Sequence, residues 1–165
     1  MAREGLDRFV EAQRHPTAGF DAALDEIRAG GKRGHWIWYV FPQLAGLGSS
    51  WNAQHYELQG MDEAAAYLEH PELGPRLLAI AEVVADQLHR GVPIETLMGS
   101  RIDALKLVSS LTLFESVARR RAAQDPTGGR CLAIERVAGD VLAAAEAQGY
   151  PRCRFTTARM ASHCA

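Results

Sequence analysis

The residues of this chain best equipped for chemistry lie in one run, Lys32-Arg33-Gly34-His35-Trp36-Ile37-Trp38-Tyr39-Val40-Phe41-Pro42-Gln43. Two adjacent cations precede a dense set of large rings with polar tips, and a Pro-Gln pair ends it. Lys32 and Arg33 can neutralise a phosphate or carboxylate. The faces of Trp36 and Trp38 can stack on a flat ring. His35 exchanges a proton near neutral pH, and the Gln43 amide can orient a polar group. The run also has a plainer reading, in which the rings are core and the Lys-Arg pair is a solvated element end. Both readings stand at this level.

Two further groups of residues accompany it. Gly46-Leu47-Gly48-Ser49-Ser50 could nest an anion on successive backbone amides, or be a turn whose serines cap the next helix. It lacks the Gly-Lys-Ser/Thr of a phosphate-binding loop and does not match GxGxxG after a strand. Asp103, Lys106 and Ser110 recur at i, i+3 and i+7, with Ser109 and Thr112 beside them. A cation in so apolar a segment must be paired or reach a cleft. One reading is a polar seam lining a pocket against the aromatic run. The other is a Ser100/Asp103 cap, a surface Asp103–Lys106 pair, and hydroxyls bonded to the preceding turn. The six histidines show no HxH or HxxxH spacing, and no serine lies in a GxSxG elbow. No metal site and no cofactor are expected.

The elements that must position these residues are helical. Leu6, Phe9, Val10 and Gln13 keep helical spacing up to His15-Pro16, and Phe20, Ala23, Leu24 and Ile27 repeat it before Gly30-Gly31. From Lys32 to Phe41 every position from Trp36 on is apolar, which suits a buried strand or a short buried helix. Helix is favoured, because no second β-branched run exists to pair with a strand. Pro42 to Ser50 is a loop, and Trp51 to Tyr56 a short helix. Asp62 to His70 is helical, with Pro71 suited to the first turn of the next helix, which Gly91 closes. Pro93 to Leu97 adds a turn. Ser100 opens the longest helix, which reaches about Ala123 and is apolar round most of its circumference, as a central helix would be. Leu132 to Ala145 marks a last helix, ended by Gly149 and Pro151. The expected fold is all-α: a single-domain irregular or orthogonal bundle of about six or more helices over 1–150, followed by a loose tail over 151–165.

Composition narrows the partners. A chain of 165 residues, 47% apolar and 23% charged, suits one soluble domain with a real core. The net charge of -2 supplies no general field for nucleic acid or an anionic membrane. Only Arg119-Arg120-Arg121 and Lys32-Arg33 offer local cation clusters, so nucleic acid is disfavoured. The charged N-terminus reads as neither a signal peptide nor a membrane span. Three cysteines, Cys131, Cys153 and Cys164, without a CxxC pair, argue against a disulfide framework. A cytoplasmic protein is expected.

The aromatic run resembles the uncharacterised bacterial family called domain-of-unknown-function family 1810 (DUF1810). Gly46-Leu47-Gly48-x-Ser50, Tyr56-x-Leu58, Glu63-Ala64-x-x-Tyr67-Leu68, Leu73-Gly74-x-Arg76-Leu77 and Asp103-x-x-Lys106-Leu107-x-Ser109-Ser110-Leu111-Thr112-Leu113-Phe114 extend the resemblance in order over about residues 5 to 118. It implies a mainly α-helical single domain and no established activity, and it assigns no role to the segment after Phe114. It draws together His35, Trp36, Gln43, Ser50, Tyr56, Asp103, Lys106, Ser110 and Thr112. If these converge, they make a pocket for a small polar or phosphorylated ligand, such as a nucleotide or an NAD-derived metabolite. Lys32, Arg33 and Lys106 would hold the anion, Trp36 or Trp38 would stack, and Gln43, Ser50, Tyr56 and Ser110 would add polar contacts. His35 or Asp103 would transfer a proton in any glycosidic or phosphoester hydrolysis. The alternative is a non-enzymatic protein-interaction or self-association module.

Overall fold

The computed structural model describes residues 4–162; Met1 to Arg3 at the charged N-terminus, and His163 and Cys164 of the tail, lie outside that range. Within it the chain is all-α: a short 3-10 turn, Glu4–Leu6, leads into α1 (Asp7–Gln13), α2 (Phe20–Arg28), α3 (Ile37–Val40), α4 (Trp51–His55) and α5 (Met61–Glu69). After these come α6 (Leu73–His89), α7 (Ile94–Met98), α8 (Arg101–Gln124), α9 (Gly129–Ala147) and α10 (Arg154–Ser162). The one β-type pairing among the described residues is an isolated bridge between Leu44 and Leu58. No helix among them is long and apolar enough to cross a membrane.

The α8 helix is central because its sequence leaves it little polar surface. Ala104, Leu107, Val108, Leu111, Leu113, Phe114 and Val117 are all buried, and α3, α5, α7, α9 and α10 pack round it. Ser100 caps its start, the Ser100 Oγ accepting from the Asp103 amide at 3.1 Å. The second core layer is α6, which carries Leu73, Leu77, Ile80, Val84 and Leu88 inward against α2, α5 and α9. This helix starts at Leu73 rather than at Pro71; Pro75 falls in its first turn, where a missing amide hydrogen costs no helical bond.

The tail expected to be loose carries α10, so the packed helices continue to Ser162. The segment shows no periodic signal in its residues because only Thr156 and Met160 turn inward. What orders it is α8. Arg152 donates to both carboxylate oxygens of buried Glu115, at 3.0 and 2.8 Å, and the Cys153 amide donates to the Thr112 hydroxyl at 3.2 Å. The polar stripe of α8 beyond Ser109 is therefore an anchor for the C-terminal segment.

The aromatic run is mostly core. It forms a single helical turn, with Trp36, Ile37, Val40 and Phe41 buried and Trp38 and Tyr39 half-buried. Before it, the Lys32 amide donates to the Leu97 carbonyl at 2.8 Å, tying the run to α7. Gly99, with φ +79°, ends α7 where a Cβ would stand 2.9 Å from the Lys32 carbonyl oxygen, so both backbone angle and contact require glycine there. After the run, residues 45–57 form a compact Ω-type loop that contains α4. Its neck is closed by the Ala45 amide on the Leu58 carbonyl (2.8 Å) and the Leu58 amide on the Gln43 carbonyl (2.9 Å). Arg8 holds its far side, donating to the carbonyls of His55 and Glu57 at 2.8 Å each.

Candidate functional site

The Ω-type loop stands opposite the N-terminal half of α8, and between them lies a cleft of about 420 Å³. The loop wall is Leu47, Gly48, Ser49, Ser50 and Ala53. The α8 wall is Ile102, Leu105, Lys106 and Ser109, which share one face because they fall at i, i+3, i+4 and i+7. Trp38 and Gln43 close the end between the two walls. Most of this lining is apolar, with a few polar groups pointing inward, as in small-molecule sites of this size. A smaller recess opens off the cleft behind Trp38, lined by Tyr56 and Glu57.

Lys106 is the charged group of the cleft. Its ammonium sits 3.5 Å from the centroid of the Trp38 ring and 3.2 Å from Asp103 Oδ1. Asp103 in turn takes Lys32 on its other oxygen, Oδ2, at 2.7 Å. Lys32 is sealed in, its side chain only 5% exposed, and its ammonium also donates to the Gly34 carbonyl at 2.5 Å and lies 5.2 Å from the Trp36 ring. Partial burial pushes the Asp103 carboxyl up, but the hydrogen bonds and charges of Lys32 and then Lys106 outweigh it and hold it below its ordinary 3.8. Asp103 is thus a carboxylate between two ammonium groups, a fixed counter-ion rather than a proton donor.

A second carboxylate supports this floor. One oxygen of Glu26, Oε2, accepts from the Arg33 amide (2.7 Å), the Gly34 amide (2.9 Å) and the Trp36 indole N–H (2.8 Å). Burial works to raise the Glu26 carboxyl, and these three donors together with the charge of Lys32 bring it below its ordinary 4.5. Glu26 therefore shapes the loop that delivers Lys32 to Asp103.

Of the expected site residues, Trp38, Gln43, Ser50 and Lys106 meet in the cleft. Tyr56 faces the adjoining recess, against Tyr39 at 5.2 Å. Asp103, part-exposed, and Lys32, nearly buried, form an ion pair beside Lys106, outside the cleft lining. The expectation fails for Lys32 as an anion holder, because the ion pair consumes its charge and burial hides it. Trp36 does not stack on a ligand: it is 1% exposed and its N–H is spent on Glu26. Arg33 and His35 are exposed and lie outside the cleft lining. Ser110 is turned into the core, fully buried, a quarter-turn or about 90° round the helix from the cleft face. Even Trp38 changes role, since one face of its ring holds the Lys106 ammonium. Ser50 serves twice: its hydroxyl caps α4 by accepting from the Ala53 amide at 3.2 Å, and it borders the cleft.

Sequence reasoning did not single out Ile102, Leu105 or Glu26 for the site. The first two carried a signal, because 102, 105, 106 and 109 align as a face, whereas 103 and 110 point elsewhere. Glu26 carried none, since nothing local marks a helix-face carboxylate as the acceptor for the loop after it.

Elsewhere, the arginine run at the end of α8 is spread round the helix and engaged. Arg119 pairs with Glu135 at 2.9 Å, Arg120 donates to the Met160 carbonyl at 3.0 Å, and Arg121 pairs with Glu69 at 3.1 Å. A second cleft of about 420 Å³ near Arg121, Arg130 and Cys131 holds as many acidic as basic groups, with Glu69 and Asp125 also in its lining. Cys131 and Cys153 are free thiols. Among the described residues no group of three or more His, Cys, Asp or Glu side chains is placed to hold a metal ion.

Comparison with known proteins agrees with the motifs. A crystal structure, that of the conserved hypothetical protein Rv1873 from Mycobacterium tuberculosis, is similar over 93% of this chain and 94% of that one, at 40% identity and a TM-score of 0.69. No curated protein matches. Residues 3–126, which contain both walls of the cleft, match the family described as "Protein of unknown function (DUF1810)", and the chain belongs to that family.

Proposed function

We propose that the cleft between the Ω-type loop and α8 binds a small organic anion with a flat or apolar body, a class that includes nucleotides and NAD-derived metabolites. The observation that carries this reading is Lys106. Its ammonium is held at the cleft wall by Trp38 and Asp103, between apolar Ile102 and Leu105 on one side and hydroxyl-bearing Ser49 and Ser50 on the other. A preset cation in a mostly apolar cleft costs little to reorganise when an anion arrives. The reading is one of binding rather than hydrolysis: the residues lining the cleft include no His, Cys, Asp or Glu.

A thermal-shift screen of nucleotides, pyridine nucleotides and aromatic carboxylates tests it, with Lys106→Met alongside. Methionine keeps the length and packing of the side chain, and Asp103 retains Lys32. Ligands present at about a hundredfold over Kd stabilise by about 2.7 kcal/mol, enough to raise Tm by several degrees. That rise should vanish in Lys106→Met. No shift with any compound, or equal shifts in the two proteins, would sink the reading.

One observation favours a second reading, an association surface. Trp51, Ile102 and Leu105 are 69%, 65% and 45% exposed, and they lie on or next to the two walls of the cleft. If this surface pairs chains, solution mass at micromolar concentration will exceed that of a monomer, and Ile102→Glu will restore the monomer. A monodisperse wild-type monomer rules it out.

A further inference from the structure

Resting on the cleft reading above, the geometry points to a further property, a limit on charge: we infer that the cleft selects a ligand bearing one negative charge and discriminates against polyanions. The positive charge available to a ligand is that of Lys106 alone. Lys32 is the nearest other cation, but its side chain is 5% exposed and its ammonium is spent on Asp103 and the Gly34 carbonyl. Arg33 is exposed and is not part of the cleft lining. At the start of α8 the Ser100 side chain takes the Asp103 amide and the Ser100 carbonyl takes the Ala104 amide, so neither of these is left for a ligand.

The negative charges already present are close and fixed. Asp103 lies 3.2 Å from the Lys106 ammonium, so a second ligand charge near Lys106 would face a carboxylate in a poorly solvated wall. A ligand that extends behind Trp38 instead meets Glu57 in the adjoining recess. Glu26 and Asp103 balance Lys32 and Lys106, leaving this corner of the protein formally neutral before the ligand enters. One anionic group replaces water on Lys106 and gains a charge-assisted bond. Each further charge must leave water, or point out to it, with no cation to receive it. The remaining polar lining, Gln43, Ser49 and Ser50, can donate hydrogen bonds to a neutral part of the ligand.

Two charge ladders on constant rings test this by isothermal titration of the wild-type chain and of Lys106→Met. The first is adenosine, cyclic AMP, AMP, ADP and ATP. The second is nicotinamide, nicotinate and quinolinate. In wild type the monoanion of at least one ladder should bind about tenfold more tightly than its neutral parent, as expected for one charge-assisted bond. Affinity should then fall as charges are added, so that ATP or quinolinate binds more weakly than the monoanion. Lys106→Met should flatten the ladder by weakening the monoanion to the level of the neutral compound. Affinity that climbs steadily to ATP or quinolinate, with Lys106→Met still weakening it, would overturn the charge limit while leaving the cleft reading intact. Silence across both ladders in wild type, or ladders unchanged by Lys106→Met, would overturn both.

Discussion

Asp103→Ala is expected to cost the fold about 3 kcal/mol, measured as the loss of unfolding free energy in urea, whereas Lys32→Met should cost less than about 1 kcal/mol. The asymmetry comes from the groups each change leaves behind. Without Asp103, the Lys32 ammonium stays almost fully buried, with the Gly34 carbonyl, the Trp36 ring and the longer-range charge of Glu26 in place of its direct counter-ion. An uncompensated buried charge is the expensive outcome of breaking such a pair. Lys32→Met removes the buried charge itself, and Asp103 keeps Lys106 and partial access to solvent. Equal costs for the two variants would show that Asp103 is not the counter-ion that makes the burial of Lys32 tolerable.

Acid should expose the same interaction. The Asp103 carboxyl titrates below its ordinary 3.8 in the folded protein, chiefly because Lys32 and Lys106 overcome the effect of burial. A group with a lowered folded pKa stabilises fully above its unfolded value and loses that contribution as pH falls through the folded pKa. Wild type should therefore lose more stability than Asp103→Asn on acidification from about pH 5 to below pH 4. Parallel losses in the two proteins would assign acid sensitivity to other carboxylates, such as Glu26.

Glu26→Ala is expected to be comparably damaging, at about 3 kcal/mol. It removes the acceptor of three donors at once. Arg33 is exposed, so its amide can turn to water. The Trp36 indole N–H cannot, since the residue is 1% exposed, and it would be left buried and unpaired. Glu26→Gln keeps an acceptor oxygen but not the charge and should fall between wild type and Glu26→Ala. The double variant Glu26→Ala/Trp36→Phe tests the cause. If the orphaned indole N–H is the main penalty, removing it should make the double variant less destabilised than the separate losses added together. Simple additivity would refute that account. Because Glu26 shapes the loop that brings Lys32 to Asp103, Glu26→Ala should also weaken any ligand held by Lys106.

The bundle was legible because helices announce themselves by spacing. The stripe of α6 and the nearly all-round apolar surface of α8 marked the two core helices, and Ser100 marked a start that the structure uses as a cap. The motifs of residues 32–43, 46–50 and 103–114 point to the family by residue type and order alone, and the family match spans all three. Spacing failed at α10, where two inward residues are too few to make a period and the order comes from contacts with Thr112 and Glu115.

The site divided differently. Residue types alone brought forward Trp38, Gln43, Ser50 and Lys106, because a cation, an amide and a ring in an apolar sequence need a reason to be there. Residue types could not separate Lys106 from Lys32, or Trp38 from Trp36, since members of each pair have the same chemistry and neither position shows in the sequence what it meets in the fold. Tertiary structure separated them by solvent access. The fold buries Lys32 on Asp103 and Trp36 on Glu26, and it leaves Lys106 and Trp38 at a cleft wall. It also left His35 outside, which removed the candidate base from the candidate pocket. By itself, then, the sequence determined the all-α fold, the family and the polar residues worth weighing, because spacing and composition are local properties. Which of those residues face a ligand and which are spent holding the protein together was decided only when α2, α3, the Ω-type loop and α8 came together, because charge pairing and burial depend on partners distant in the chain.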